Sequence, residues 1–257
     1  MLKKLFLYDF TATGRRAFPL LIAILGAGAI SLLVVLVGSF LPIDDTYGTV
    51  SNLLTAVLYL VILASLVLFF LATLQIYLHY FRSFFSNEGC FTFMIPASRE
   101  QLFFSKVLSG FVWTLLILFA VICAFTLGIL LPFEIVLRTE NLSFLSVLFR
   151  DLWDNVSLFS AIDAVILTLS QIITVYTAIT MGALFFRKRK LIGAVLFYLA
   201  LSLGIFILRL AISLIFSDII EESDIITSLL SVLVSLICAA CGYLISRALL
   251  CNKLNLI

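Results

Sequence analysis

The sequence predicts an all-α, polytopic integral membrane protein with six transmembrane helices and both termini in the cytoplasm. Three observations lead there. The 257 residues are 64% hydrophobic and have a mean hydropathy of +1.28, whereas a soluble domain is only about half apolar. Charged residues make up 12% of the chain and cluster between long apolar runs. Six of those runs reach the roughly 20 residues that carry a helix across a bilayer.

The first sixteen residues hold Lys3, Lys4, Asp9, Arg15 and Arg16. Leu2, Leu5, Phe6 and Phe10 fall on one helical face, which predicts an amphipathic N-terminal helix, Met1 to Thr11, lying flat on the membrane. Thr13-Gly14 would then turn the chain upward. A basic start and Ala27-Gly28-Ala29 resemble a signal peptide with its cleavage site. The apolar run continues to Leu41, however, beyond the ~7–15 residues of a cleaved apolar region, so a retained span is expected.

The six spans are expected at about 17–41, 53–79, 107–131, 160–186, 191–216 and 226–246, in a single transmembrane domain of residues 1–257. Pro19, Pro42, Pro96 and Pro132 all fall at or outside span ends. An interior proline would leave a backbone carbonyl without a partner in lipid, so their placement supports these boundaries. Basic residues set the orientation. With the N-terminus inside, thirteen of the sixteen Lys and Arg residues lie on the inner side, among them Arg82, Arg99, Lys106 and the run Arg187-Lys188-Arg189-Lys190. The outer segments are acidic instead, with Asp44, Asp45, Glu134, Glu140, Asp218, Glu221, Glu222 and Asp224.

The longest inner connection is 81–106. Asn87-Glu88-Gly89 is a turn signal, because Asn and Gly tolerate positive φ. Pro96 disfavours helix at Ile95. Ser98-Arg99-Glu100-Gln101 reads as a capping box, so a helix should start at Arg99. Between turn and cap lies the strip Cys90-Phe91-Thr92-Phe93-Met94-Ile95, too short to span. Two readings of it stand side by side: a partner-binding face, or an interfacial loop with its aromatics dipped in lipid.

Residues 87–106, with Glu88, Gly89, Thr92, Phe93, Pro96, Ser98, Arg99, Gln101, Leu102, Ser105 and Lys106 in register, resemble a motif of bacterial type-2 ABC transporter permeases. Asn87 stands where an acid is usual and Cys90 where an aromatic is usual. The six-span layout extends the resemblance over the whole chain. It implies a permease subunit of an exporter in the bacterial plasma membrane, with no catalytic or metal site and no cofactor of its own, ATP being bound by a partner. The implied partners are an ABC ATPase subunit, a second permease protomer (the same or a related chain) and membrane lipids. The 81–106 loop would face the cytoplasm and couple to the ATPase. Glu88, Arg99 and Glu100 are the expected contact charges, Phe91, Phe93 and Met94 the apolar anchors, and Gly89 and Pro96 belong to the same contact set. Members of the family export antimicrobial peptides, drugs, lipids or polysaccharides.

In the outer segment 132–159, Leu142, Leu145, Leu148, Phe149 and Leu152 recur at helical spacing, which predicts an amphipathic surface helix, either a strut or part of an exit gate. Asn141-Leu142-Ser143 and Asn155-Val156-Ser157 fit the glycosylation sequon, a triplet short enough to arise by chance. Asp163 and Arg209 are the two charges within spans, at similar depth near the outer face. They either form an intramembrane charge pair or reach separately to the interface. Small residues recur in span six (Ser231, Ser235, Ala239, Gly242, Ser246), in span five (Ala200, Gly204) and in span one (Gly26 to Ala29), fitting close helix packing within the chain or between protomers.

Hydrolytic chemistry has little to stand on. The single histidine, His79, has no His-Glu-x-x-His context, and there is no Gly-x-x-x-x-Gly-Lys-Ser/Thr phosphate loop. Cys238 and Cys241 form a C-x-x-C inside an apolar run, where small packing residues are the better reading than a metal or redox pair. The 187–190 run could bind anionic headgroups or simply anchor topology. Nothing points to nucleic acid. The alternative to a permease is a non-ABC membrane protein, either a secondary transporter or a membrane assembly factor. A secondary transporter would be expected to show broken helices or ion-binding acids at mid-membrane, and the sequence shows neither.

Overall fold

The computed structural model describes residues 2–39, 48–86, 89, 94, 97–126, 158–186, 189–215 and 224–252. Among them the regular structure is entirely helical: α1 (Leu2–Ser39), α2 (Gly48–Phe85), α3 (Arg99–Phe125), α4 (Leu158–Phe185), α5 (Lys190–Ile215) and α6 (Asp224–Asn252). All six contain stretches long and apolar enough to cross a membrane. Large apolar side chains point outward along them, for example Leu7, Phe18 and Ile22 on α1 and Leu203, Phe206 and Ile207 on α5. Small and polar residues turn inward: Asp9, Thr13, Ala17 and Ser31 on α1, and Ser170, Thr174, Thr177 and Thr180 on α4. Water would penalise that arrangement. Lipid does not, because its tails are as apolar as leucine.

Two expectations for α1 need correction. No turn interrupts it at Thr13-Gly14, since one helix runs from Leu2 to Ser39. Gly14 serves a different need: a Cβ there would sit 2.6 Å from Cζ2 of Trp113, so glycine makes room for the indole. Pro19 lies inside α1 and not at its end. Its ring removes one backbone donor, and the helix continues past it.

The chain divides into two compact units. One comprises Met1–Thr13, Tyr77–Val112 and Val156–Ile257. Here α4 packs against both α5 and α6. The α4–α5 approach is set by glycine. A Cβ on Gly182 would strike the backbone of Gly193 and Ala194, and one on Gly193 would strike the Phe186 ring and the Gly182 carbonyl. The α4–α6 contact uses the small-residue row of α6. Ser235, Ala239 and Ser246 are buried, and Gly242 faces Ile173 and Thr177. That row therefore serves packing within the chain. At the centre Tyr80 stacks on Tyr176, with centroids 3.9 Å apart and planes 5° from parallel, and its hydroxyl is 2.9 Å from Thr180 Oγ1.

The second unit comprises Gly14–Ile76 and Trp113–Asn155. Gly28 and Ala124 bring α1 and α3 together, and a Cβ on Gly28 would lie 2.6 Å from the Ala124 Cα. Beside them Gly28, Ser31, Ser65 and Ala124 help line a cavity of about 20 Å³, room for a single water. The outer segment 132–159, including its expected amphipathic helix, lies outside the described residues.

Candidate functional site

The candidate site is the connection between α2 and α3 and the side chains of the first unit that hold its two ends. Helix α2 runs to Phe85 and α3 begins at Arg99, so helix takes up part of the 81–106 stretch from both sides. A helix leaves its last four carbonyls without intrahelical partners. At the end of α2 the Phe85 carbonyl accepts from Lys190 Nζ at 3.0 Å. A cation at a helix C-terminus also favours the macrodipole. One residue of the basic run 187–190 thus has a specific structural partner besides any role in topology.

The Gly89 amide donates to the Ser86 carbonyl at 2.8 Å. Gly89 is required for space and not for positive φ, which no described glycine adopts. A Cβ at this position would lie 2.5 Å from the Phe84 carbonyl oxygen. Met94 is 77% exposed. Glu88, Phe91, Phe93 and Pro96 of the expected contact set lie outside the described residues.

The start of α3 carries the capping box read from the sequence. The Gln101 amide donates to Ser98 Oγ at 3.3 Å, and the Ser98 amide donates to Gln101 Oε1 at 3.4 Å. Both are long bonds in an exposed setting. The Ser98 carbonyl accepts the first intrahelical bond, from Leu102 at 3.1 Å. Arg99 and Glu100, expected as contact charges, have partners within the chain. Arg99 Nη1 donates to the Leu250 carbonyl at 3.0 Å, near the C-terminal end of α6, where free carbonyls need donors. Glu100 pairs with Arg247, Oε1 to Nη2 at 2.6 Å and Oε1 to Nε at 2.8 Å. That pair is about half exposed, so its contribution to stability is small; its geometry nonetheless ties α3 to α6.

Two turns into α3, Ser105 and Lys106 meet a carboxylate that the sequence reading left unassigned. Lys106 Nζ lies 2.9 Å from Asp9 Oδ1, and Ser105 Oγ donates to Asp9 Oδ2. Lys106 also sits over the Phe84 ring, 5.3 Å from its centroid, in cation–π range. Asp9 is 4% exposed and Lys106 6%. The one signal for this in the sequence was an acid in an otherwise basic N-terminal segment.

The structure does not join Asp163 to Arg209. Arg209 Nη2 donates instead to Ser235 Oγ on α6 at 3.0 Å, and Arg209 Nε and Asp163 Oδ1 are buried without a hydrogen-bond partner. Cys238 and Cys241 are free thiols on α6. Among the described residues no group of His, Cys, Asp and Glu could hold a metal ion.

Set against known proteins, the chain matches no family model, no curated protein and no solved structure. The fold itself defines the class: this is a multi-pass α-helical membrane protein.

Proposed function

We propose that the chain is the permease subunit of an ABC exporter in a bacterial plasma membrane. Both termini and the 81–106 loop lie on the cytoplasmic side, and a separate ATPase subunit binds that loop. A second permease protomer completes the pathway, and ATP is bound by the partner alone. Closure of the ATPases pushes the loop, and the spans alternate between inward- and outward-facing states. The resemblance of residues 87–106 supports the reading. So does one structural observation: the connection leaves a capped end of α2 through Lys190 and enters a capped start of α3 at Ser98. A force applied to such a connection passes into two helices and is not dissipated in frayed ends. Of the expected apolar anchors, Met94 is the one among the described residues, and it is exposed. Arg99 and Glu100 tie the start of α3 to α6.

The test is co-purification of the tagged chain from its native membrane in mild detergent, with mass spectrometry of what accompanies it. A soluble ATPase should appear and should be lost with Glu88→Ala/Met94→Ala. Arg99 is unsuitable for this variant because its loss would free the Leu250 carbonyl. If no ATPase appears under conditions that keep other membrane complexes intact, the permease reading fails, and a stand-alone transporter or an assembly factor takes its place.

A further inference from the structure

We infer that Asp9 and Lys106 are positioning residues that fasten the first three turns of α1 to the head of α3, so that a displacement of the α2–α3 connection is delivered to α1. This deepens the permease reading and rests on it. Both side chains of the ion pair are buried. Asp9 takes Lys106 on one oxygen and Ser105 on the other, and Lys106 is covered by the Phe84 ring.

Stability alone is a poor reason for such a pair. Desolvating two charges offsets much of their attraction, and well-packed apolar residues of the same size often hold a fold as firmly. A buried pair does supply a single satisfied register. Sliding α1 along α3 by one turn, about 5.4 Å, would leave a carboxylate and an ammonium buried apart. Lys106 lies seven residues into α3, about 10 Å along the helix from Arg99, within the same rigid element as the capped start. Loop, α3 head and α1 therefore form one mechanical series, with Asp9 as the joint between two helices distant in sequence.

The test uses the full chain with Asp9→Leu/Lys106→Met, which removes the pair without stranding a charge. In the isolated protein in detergent, amides of residues 3–13 should exchange at least tenfold faster in this variant than in wild type, with α5 unchanged. Equal protection overturns the inference. In the complex with its ATPase, an environment-sensitive probe is placed at Tyr8→Cys, on exposed α1 surface, after replacement of the native cysteines. Its signal should change on ATP addition in the parent and stay flat in the Asp9/Lys106 double variant, while the ATPase co-purifies equally with both. A merely structural pair would leave the ATP response intact in a folded, assembled variant, and that result overturns the inference, as does a parent that shows no response. If the parent carries no ATPase, the permease reading fails by itself, and the exchange measurement still decides whether Asp9 is the joint.

Discussion

Lys190, the first residue of α5, donates its ammonium to the carbonyl of Phe85, the last residue of α2. The two are 105 residues apart in the chain, and the bond closes a helix end where the connection to α3 begins. Lys190→Met keeps the apolar stem and removes the donor. It should lower stability by about 1.5–3 kcal/mol, the range for a hydrogen bond to a charged group. Exchange at the last turn of α2 should rise more than at α4. Thermal unfolding in detergent together with amide exchange checks both.

At the other end of the connection, Ser98→Ala removes the acceptor for the Gln101 amide. The expected loss is about 0.5–2 kcal/mol, typical of a helix N-cap. Because Gln101 reaches back to the Ser98 amide, Ser98→Ala and Gln101→Ala act on one box, and their effects should be less than additive. Additive losses would mean that the two bonds are independent.

Glycines at different contacts should answer differently to a single methyl group. Gly182→Ala drives a Cβ into the backbone of α5 and should cost about 1–3 kcal/mol or more, as overpacking does. Gly204→Ala meets nothing within 4 Å and should be neutral or raise stability by up to about 1 kcal/mol, from helix propensity. Unfolding midpoints in detergent separate the two. Equal effects would contradict the α4–α5 contact described here.

Asp9→Leu alone leaves Lys106 buried and unpaired. It should cost about 3–5 kcal/mol, the range for breaking a buried pair, whereas Asp9→Leu/Lys106→Met should recover most of that loss. A double variant as unstable as the sum of its singles would mean that the two side chains do not interact.

Arg209 should couple to Ser235 and not to Asp163. A double-mutant cycle on Arg209 and Ser235 should return about 0.6 kcal/mol, a common size for polar contacts between membrane helices. The Arg209–Asp163 cycle should be additive. Coupling to Asp163 instead would restore the charge pair that equal depth in the sequence invites.

Much of this architecture is legible in the residues, for identifiable reasons. Hydropathy is summed along the chain, so six spans emerge without knowledge of what they touch. The box at Ser98 and Gln101 is local and survives intact. Readings failed where a residue answers to something far away in sequence. Gly14 looks like a turn until Trp113 is beside it, and Gly89 looks like a left-handed residue until the Phe84 carbonyl is found against it. Lys106 and Lys190 count in the sequence only as inner-side cations, and the structure adds a partner to each, Asp9 for one and the Phe85 carbonyl for the other. Depth places Asp163 and Arg209 at one level, but it says nothing about helix rotation, and rotation turns Arg209 toward Ser235.

In the proposed permease, the α2–α3 connection faces a protein partner and not lipid. Photo-crosslinking in native membranes tests it most directly, with the reactive residue at Met94, 77% exposed, and in a control at Phe70, 64% exposed on the apolar surface of α2. Position 94 should capture a soluble ATPase subunit while position 70 captures lipid. Lipid adducts from both positions, with no ATPase from either, would contradict it.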